Sequence, residues 1–369
     1  MRPFLLERYL SKHEFSVRHV ACASDPDTLR LADVLALEPD ARDQFLSVSL
    51  GYTETKGSRA LREAIASLYQ GGVTADDVLV HVGAQEPIYA FMRATVVPGD
   101  HVICLTPTYQ SLTSVAETIG AEVSRWEAHE ANGWQPDVAE LERLVRPNTR
   151  LLVLNTPQNP TGGLLTGDRY AAAMDFAASR GIRVLGDEVY RGLEHAGPRL
   201  PSVVELSERA VSLGAMAKVY GLAGLRIGWA VTRDRALLER LEVVKDYLSI
   251  CASGPSVFLA TIALRHADLL RARTLSTVRR NVELVDRFIG KHESQLSWQR
   301  PLAGTTALIR LKTEPTATAF CETLVTRTGV LLAPSSLFGA PDTHVRIGLG
   351  RASLPDALQV LGEWLERGG

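Results

Sequence analysis

The 369-residue sequence has no run of apolar residues long enough to cross a bilayer, no low-complexity segment and no internal repeat. Its four cysteines, Cys22, Cys104, Cys251 and Cys321, lie far apart without a Cys-x-x-Cys pair. That argues against a zinc site and a disulfide framework, and fits reduced thiols in a cytosol. The nine histidines never form His-Glu-x-x-His, so no metal is expected. A dinucleotide fingerprint is also missing: Gly221-Leu222-Ala223-Gly224 has the wrong spacing, and Gly83-Ala84-Gln85 has one glycine. Nor is there an excess of one charge, since 40 Lys plus Arg face 42 Asp plus Glu for a formal net charge of -2. No global field therefore draws nucleic acid or an anionic membrane, and a small-molecule ligand is expected. The amino terminus carries Arg2, Glu7 and Arg8 too early for a signal-peptide apolar region, so a soluble, cytoplasmic protein is the expectation.

What is present is material for a large core, with 46% hydrophobic and only 22% charged residues, and the length suits two lobes. Residues 59 to 70 show helical periodicity, and Asp77 to Val82 read as a strand. Further strands are expected at His101 to Leu105, Arg150 to Leu154, Ile182 to Leu185, Ala210 to Leu213 and Ile227 to Val231. Helical stretches such as Pro136 to Val145 and Tyr170 to Arg180 separate them. This alternation predicts an α/β fold with a mostly parallel sheet covered on both faces. From about residue 270 a long charged helix runs through Arg279 and Arg280 towards His292. Short strands near Ala307 to Leu311 and Val345 to Ile347 follow, as in a smaller α+β lobe. The expected division is a large domain over 40–275 and a small one from 1–39 and 276–369, the termini meeting.

In open α/β sheets ligands gather at the carboxyl ends of the strands. After the first strand, Gly83 permits a tight turn and Pro87 suits a helix start, leaving the N–H groups of Ala84 and Gln85 free for an anion. Tyr109 follows the second strand and can stack on a flat heterocycle, or serve simply as a surface or core tyrosine. Asn155 to Gly162 is either a binding loop holding Asn159 or a rigid proline turn. Asp187 can face a pyridine nitrogen and keep it protonated, or can cap a helix, with Tyr190 one turn further on. Lys218, among small and apolar residues, is either a solvated lysine on a turn or a desolvated amine able to form a Schiff base. Arg226, eight positions on, suits a phosphate. As a set these residues suggest a pyridoxal 5'-phosphate (PLP) site.

With these motifs the chain resembles the class I/II aminotransferase family of fold type I PLP-dependent enzymes, over about residues 45 to 350. The resemblance implies a large domain with a mostly parallel seven-stranded sheet, and a PLP aldehyde carried by Lys218. It pairs Asp187 with the ring nitrogen, Tyr190 and Asn159 with the phenolic oxygen, and Tyr109 with the ring face. Ala84, Gln85 and Arg226 hold the phosphate, and Arg346 grips the substrate carboxylate, with Arg351 the nearby alternative. Tyr52 matches a tyrosine that reaches the neighbouring subunit's phosphate, which implies a homodimer with shared sites.

There are departures. Ala215 and Ala217 stand where family members commonly carry hydroxyl residues, an expected loss of about 1 kcal/mol of phosphate binding. Cys22-Ala23-Ser24-Asp25 lacks the usual glycine-containing loop; Ser24 and Asp25 either meet a polar or cationic substrate or cap a turn. Leu6 to Tyr9, Lys218 to Trp229 and Asp246 to Leu248 look similar to capreomycidine synthase-like enzymes, which act on arginine derivatives. The expected activity is therefore an aminotransferase working on an L-amino acid. A PLP-dependent lyase, cyclase or oxidase of a substituted amino acid in specialised metabolism is the alternative. A non-catalytic binding module is disfavoured by the intact Lys218, Asp187, Tyr190 and Arg346.

Overall fold

A computed structural model describes residues 1–313 and 316–368. Its larger sheet has seven strands: β1 (Val78–His81), β2 (His101–Thr106), β3 (Glu122–Glu127), β4 (Thr149–Asn155), β5 (Arg183–Asp187), β6 (Ala210–Ala215) and β7 (Gly228–Val231). They lie in the order β1-β7-β6-β5-β4-β2-β3. Only β7 runs against the rest, pairing antiparallel with both β1 and β6. β1, β2, β6 and β7 are buried at every position, as continuous Val, Ile and Leu runs require when helices cover both faces. The edge strand β3 has no counterpart among the sequence expectations. Its sequence, Glu122-Val123-Ser124-Arg125-Trp126-Glu127, is polar apart from Val123 and Trp126, and only Trp126 is fully buried.

Helix boundaries follow local chemistry. α1 (Arg59–Ala66) begins where the Ser58 hydroxyl accepts the Leu61 N–H at 3.3 Å, a cap worth about 1 kcal/mol. The expected continuation to residue 70 stops short, ahead of the turn glycines Gly71 and Gly72. α2 (Gln85–Thr95) places Pro87 in its first turn, where the missing N–H costs nothing. The expected charged helix is α3 (Ala267–Lys291), 25 residues long. One expectation is corrected: no helix follows Asp187, which ends β5 and leads into a turn through Tyr190, so their spacing is set by turn geometry.

A second sheet of four antiparallel strands comprises β8 (Leu296–Trp298), β9 (Thr306–Leu311), β10 (Ala333–Pro334) and β11 (His344–Gly348), ordered β10-β11-β9-β8. Its core joins Ile309, Val345 and Ile347 to Val278, Val282 and Val285 of α3. The amino-terminal segment is stitched to it: His19 and Val20 pair in parallel with Val330 and Leu331, and the Tyr9 hydroxyl donates to the Leu332 carbonyl at 2.7 Å.

Trp229 of β7 covers Gly214 of β6, its register partner, so closely that a Cβ at Gly214 would overlap the indole. Gly214→Ala is expected to destabilise the protein by about 1–3 kcal/mol. The check is a lower urea midpoint with an unchanged slope.

Candidate active site

The carboxyl edge of the large sheet is where the chain reverses between β6 and β7, and that connection carries both Lys218 and Arg226. Because β7 starts at the edge where β1 ends, Gly228 meets the turn after β1: a Cβ there would lie 2.5 Å from the Gly83 carbonyl carbon. Gly83 has φ +71° and backs onto the Arg226 guanidinium, leaving no room for a side chain. The result is a cup formed by the start of α2, through Ala84 and Gln85, and by Arg226, whose guanidinium donates to the Ala223 carbonyl at 3.1 Å. First-turn N–H groups have no partners inside their own helix, so the cup suits an anion. Gln85 and Arg226 are exposed, and the cup opens outward.

Deeper in, β4 and β5 pair so that Asn155 lies beside Asp187, and the Asn155 amide donates to Asp187 Oδ2 at 3.2 Å. Burial pushes the Asp187 carboxyl up to about 7, against the Val189 N–H and the Lys218 charge. Lys218 is shifted the opposite way: burial lowers its pKa, although the Asp25 carboxylate opposes this. Its Nζ donates to the Ser24 hydroxyl at 2.8 Å. Burial also raises Tyr190, to about 12, against the Arg346 charge and the nearby Ser24 hydroxyl, and among the described residues its own hydroxyl makes no close hydrogen bond.

Arg346 comes from the centre of the smaller sheet, opposite Leu308 and Ala333, and is 1% exposed. Its Nε and Nη2 donate to the Cys22 carbonyl at 3.1 and 2.8 Å, and its Nη1 donates to Asn159 Oδ1 at 3.2 Å. Three of its five N–H groups are thus used, leaving one on each terminal nitrogen, the pair that a carboxylate takes. Arg351, the nearby alternative, pairs with Asp25 at 2.9 Å and does not line the cavity that Arg346 enters. Burial works to raise the Asp25 carboxyl, but Lys218 and Arg351 outweigh it and hold Asp25 below the usual range.

All the candidate residues except Tyr52 and Arg351 line one cavity of about 260 Å³: Ser24, Asp25, Ala84, Gln85, Tyr109, Asn159, Asp187, Tyr190, Lys218, Arg226 and Arg346. Ala215 and Ala217 line it too. Tyr52 is 89% exposed and does not line it. Sequence reasoning missed one wall. The amino-terminal helix α0 (Leu5–His13) and the residue after it bring Leu6, Glu7, Leu10 and Glu14 to the cavity. The Tyr109 hydroxyl donates to Glu7 at 2.9 Å, and its ring lies 5.0 Å from that of Phe4. The spacing of Leu6 and Leu10, one helical turn apart, was the available signal.

These groups fit PLP. A buried carboxyl with a raised pKa suits a ring N–H, the unpartnered Tyr190 hydroxyl suits a phenolic oxygen, and the cup suits a phosphate. Fold and site together define a fold type I PLP-dependent enzyme. Residues 22–359 match the family described as aminotransferase class I and II, and the chain belongs to that family. It is an enzyme of the aminotransferase kind, with PLP as cofactor. Capreomycidine synthase of Streptomyces vinaceus is 30% identical over 364 residues, covering 98% of this chain and 93% of that protein. The arginine–pyruvate transaminase of Pseudomonas aeruginosa is 30% identical over 84% of this chain and 80% of that protein. Among solved structures, a PLP-dependent aminotransferase from Streptococcus suis superposes with a TM-score of 0.94 at 30% identity, over 99% of this chain and 98% of that one. The PLP-dependent cyclase OrfR does so at 0.92 and 27% identity, over 100% and 98%.

The Asp187 shift predicts a pH dependence of stability in cofactor-free protein. A carboxyl raised on folding binds more protons in the folded state, so stability is greatest below its unfolded value near 4 and falls as pH rises to about 7. Asp187→Asn should remove a decline on the order of 4 kcal/mol between those limits. Urea unfolding across pH 4 to 7 checks this, and equal slopes in the two proteins would contradict the buried, protonated carboxyl.

Proposed function

We propose that this enzyme acts on an L-amino acid with a cationic side chain, using Lys218 as the residue that holds the PLP aldehyde. The single observation that carries the substrate class is the pair of carboxylates, Glu7 and Glu14, which line the cavity with no salt-bridge partner among the described residues, Lys218 and Arg351 acting on Glu14 only from a distance. They are seven residues apart, about two helical turns, and so on one side of the amino-terminal segment. The named activity of the arginine–pyruvate transaminase supports this class. In this reading residues 40–275 bind the cofactor, while 1–39 and 276–369 supply the substrate contacts.

Bound PLP supplies an aldehyde that condenses with amines and a protonated ring that accepts electron density from Cα. Lys218, whose charged form burial disfavours, removes the Cα proton and returns it. Asp187 holds the proton on the ring nitrogen, and Tyr190 and the free Asn159 amide hold the phenolic oxygen. Tyr109 covers the ring, while Ala84, Gln85 and Arg226 keep the phosphate. Arg346 fixes the substrate carboxylate with its two remaining N–H groups, and Ser24 positions the Lys218 amine. The Asp25 carboxylate, tied to Arg351, keeps one negative charge near that amine.

The outward-facing cup and the exposed Tyr52 support a homodimer in which the partner's copy of this tyrosine closes the phosphate site. No described helix is long and apolar enough to cross a membrane, and a cytoplasmic, biosynthetic role is part of the proposal. A second reading, cyclisation, elimination or oxidation of an arginine derivative, is favoured by likeness to capreomycidine synthase along nearly the whole chain.

Mass spectrometry of products from PLP-loaded protein and a panel of amino acids, with and without oxygen, separates these reactions. Transfer leaves a keto acid and an aminated cofactor, whereas cyclisation or elimination leaves the cofactor as the aldehyde. Lys218→Ala should lose the absorbance of the protein-bound aldehyde and remain folded; absorbance that survives points to another lysine. Glu7→Gln and Glu14→Gln should each raise KM for arginine about tenfold, roughly 1.4 kcal/mol, with little change for methionine. Preference of the unmodified enzyme for neutral substrates would refute the cationic class.

A further inference from the structure

Arg346 takes its aim partly from Asn159, which belongs to the other lobe, so whatever fixes β11 against the loop of Asn159 governs that aim. One segment touches both. After β3 the chain runs through His129 to Gln135, and Glu130 points from it to the smaller sheet with a side chain 16% exposed. Its Oε2 accepts from Arg310 Nη1 at 2.9 Å, and His344 Nε2 stands 3.1 Å from the same oxygen. Arg310 of β9 and His344 of β11 are register partners, so both side chains leave one face of the sheet. The next position on that face along β11 is Arg346. The His344 ring and the Arg310 guanidinium hold the Glu130 carboxyl below its usual range, although burial opposes them.

The other end of the segment reaches the loop of Asn159. Trp134 is buried with φ +58°, an uncommon conformation for a bulky residue, and packing on two sides holds it there. On one side its ring meets the His344 ring edge-on, with centroids 5.6 Å apart. On the other it packs on Gly163 so closely that a Cβ added there would lie 3.1 Å from the Trp134 Cβ. The Gln135 amide donates to the Leu164 carbonyl at 2.6 Å, and the Gly163 carbonyl accepts the Gln158 N–H at 2.8 Å. Residues 130–135 therefore brace β11 against the loop 158–164, the two parts that carry Arg346 and Asn159.

We propose that Glu130 is a positioning residue for the substrate carboxylate: by holding Arg310 and His344 it fixes β11 against the large lobe, so that the two N–H groups left on Arg346 converge on one carboxylate. This rests on the reading of Arg346 as the partner of that carboxylate. Glu130 itself does not line the cavity and touches neither substrate nor cofactor.

The test is absorbance titration of PLP-loaded protein with arginine and with agmatine, the same molecule without its carboxyl group. If another amino acid binds more tightly, it and its decarboxylated amine take their place. Glu130→Gln should weaken arginine about fivefold, the scale of one partly exposed ion pair, and agmatine less than about twofold. PLP affinity of the cofactor-free protein should stay unchanged, because the brace touches no part of the anion cup. Arg310→Gln should act in the same direction more weakly, since His344 remains. Half of the Arg310 side chain is in solvent, so this variant decides if Glu130→Gln fails to fold. Equal losses for arginine and agmatine, or no loss for arginine, overturn the role of Glu130. Arg346→Gln separates the two readings. If it weakens arginine while Glu130→Gln and Arg310→Gln do not, the brace alone falls; if it leaves arginine binding intact, the carboxylate reading of Arg346 falls with it.

Discussion

The structure depends on keeping an amine and a carboxyl in one cavity without letting them neutralise each other. Desolvation pushes Lys218 towards the free amine and Asp187 towards the acid, so each is drawn away from its ordinary charge. The sheet accomplishes this by bringing them from adjacent strands: Asp187 ends β5, and Lys218 follows the end of β6. The Ser24 hydroxyl then takes the amine at 2.8 Å, and Asn155 takes the carboxyl at 3.2 Å. Each group therefore has a neutral partner of its own.

That arrangement needs a reversal of the chain just past Lys218. An all-parallel sheet would have sent the chain away into a crossover helix. Here the antiparallel β7 returns it at once, and Arg226 and Gly228 are delivered to the turn after β1. One short connection thus supplies both the amine and the guanidinium. The smaller sheet adds a single side chain, Arg346, and the Cys22 carbonyl and Asn159 aim it from opposite sides.

Much of this was legible because each motif is local. The strand ahead of Asp187 is a run of Val and Leu, and the residues that follow strand ends are contiguous in the chain. The family resemblance added what spacing cannot supply, that Arg346 and Lys218 meet although 128 residues separate them. What escaped reading has physical causes. β3 lies at an edge and buries only Trp126, so it has little hydrophobic pattern to detect. Glu7 and Glu14 look like the polar face of any surface helix, and only packing on Tyr109 and the far lobe turns that face inward. Asp-Glu-Val-Tyr after β5 reads as a helix start, but the chain forms a turn there and the Leu193 carbonyl beyond it accepts the Gly304 N–H, a contact between lobes that local sequence does not reveal.

The amino-terminal helix is wall as well as terminus. Arg2 bonds Ser114, the Leu5 N–H reaches Gln110, and the Gln110 amide returns to the Pro3 carbonyl, so even the first residues are docked within one turn of the ligand chamber. Trimming this helix away would therefore open the chamber on one side, even though Met1 itself is 76% exposed and lies outside it.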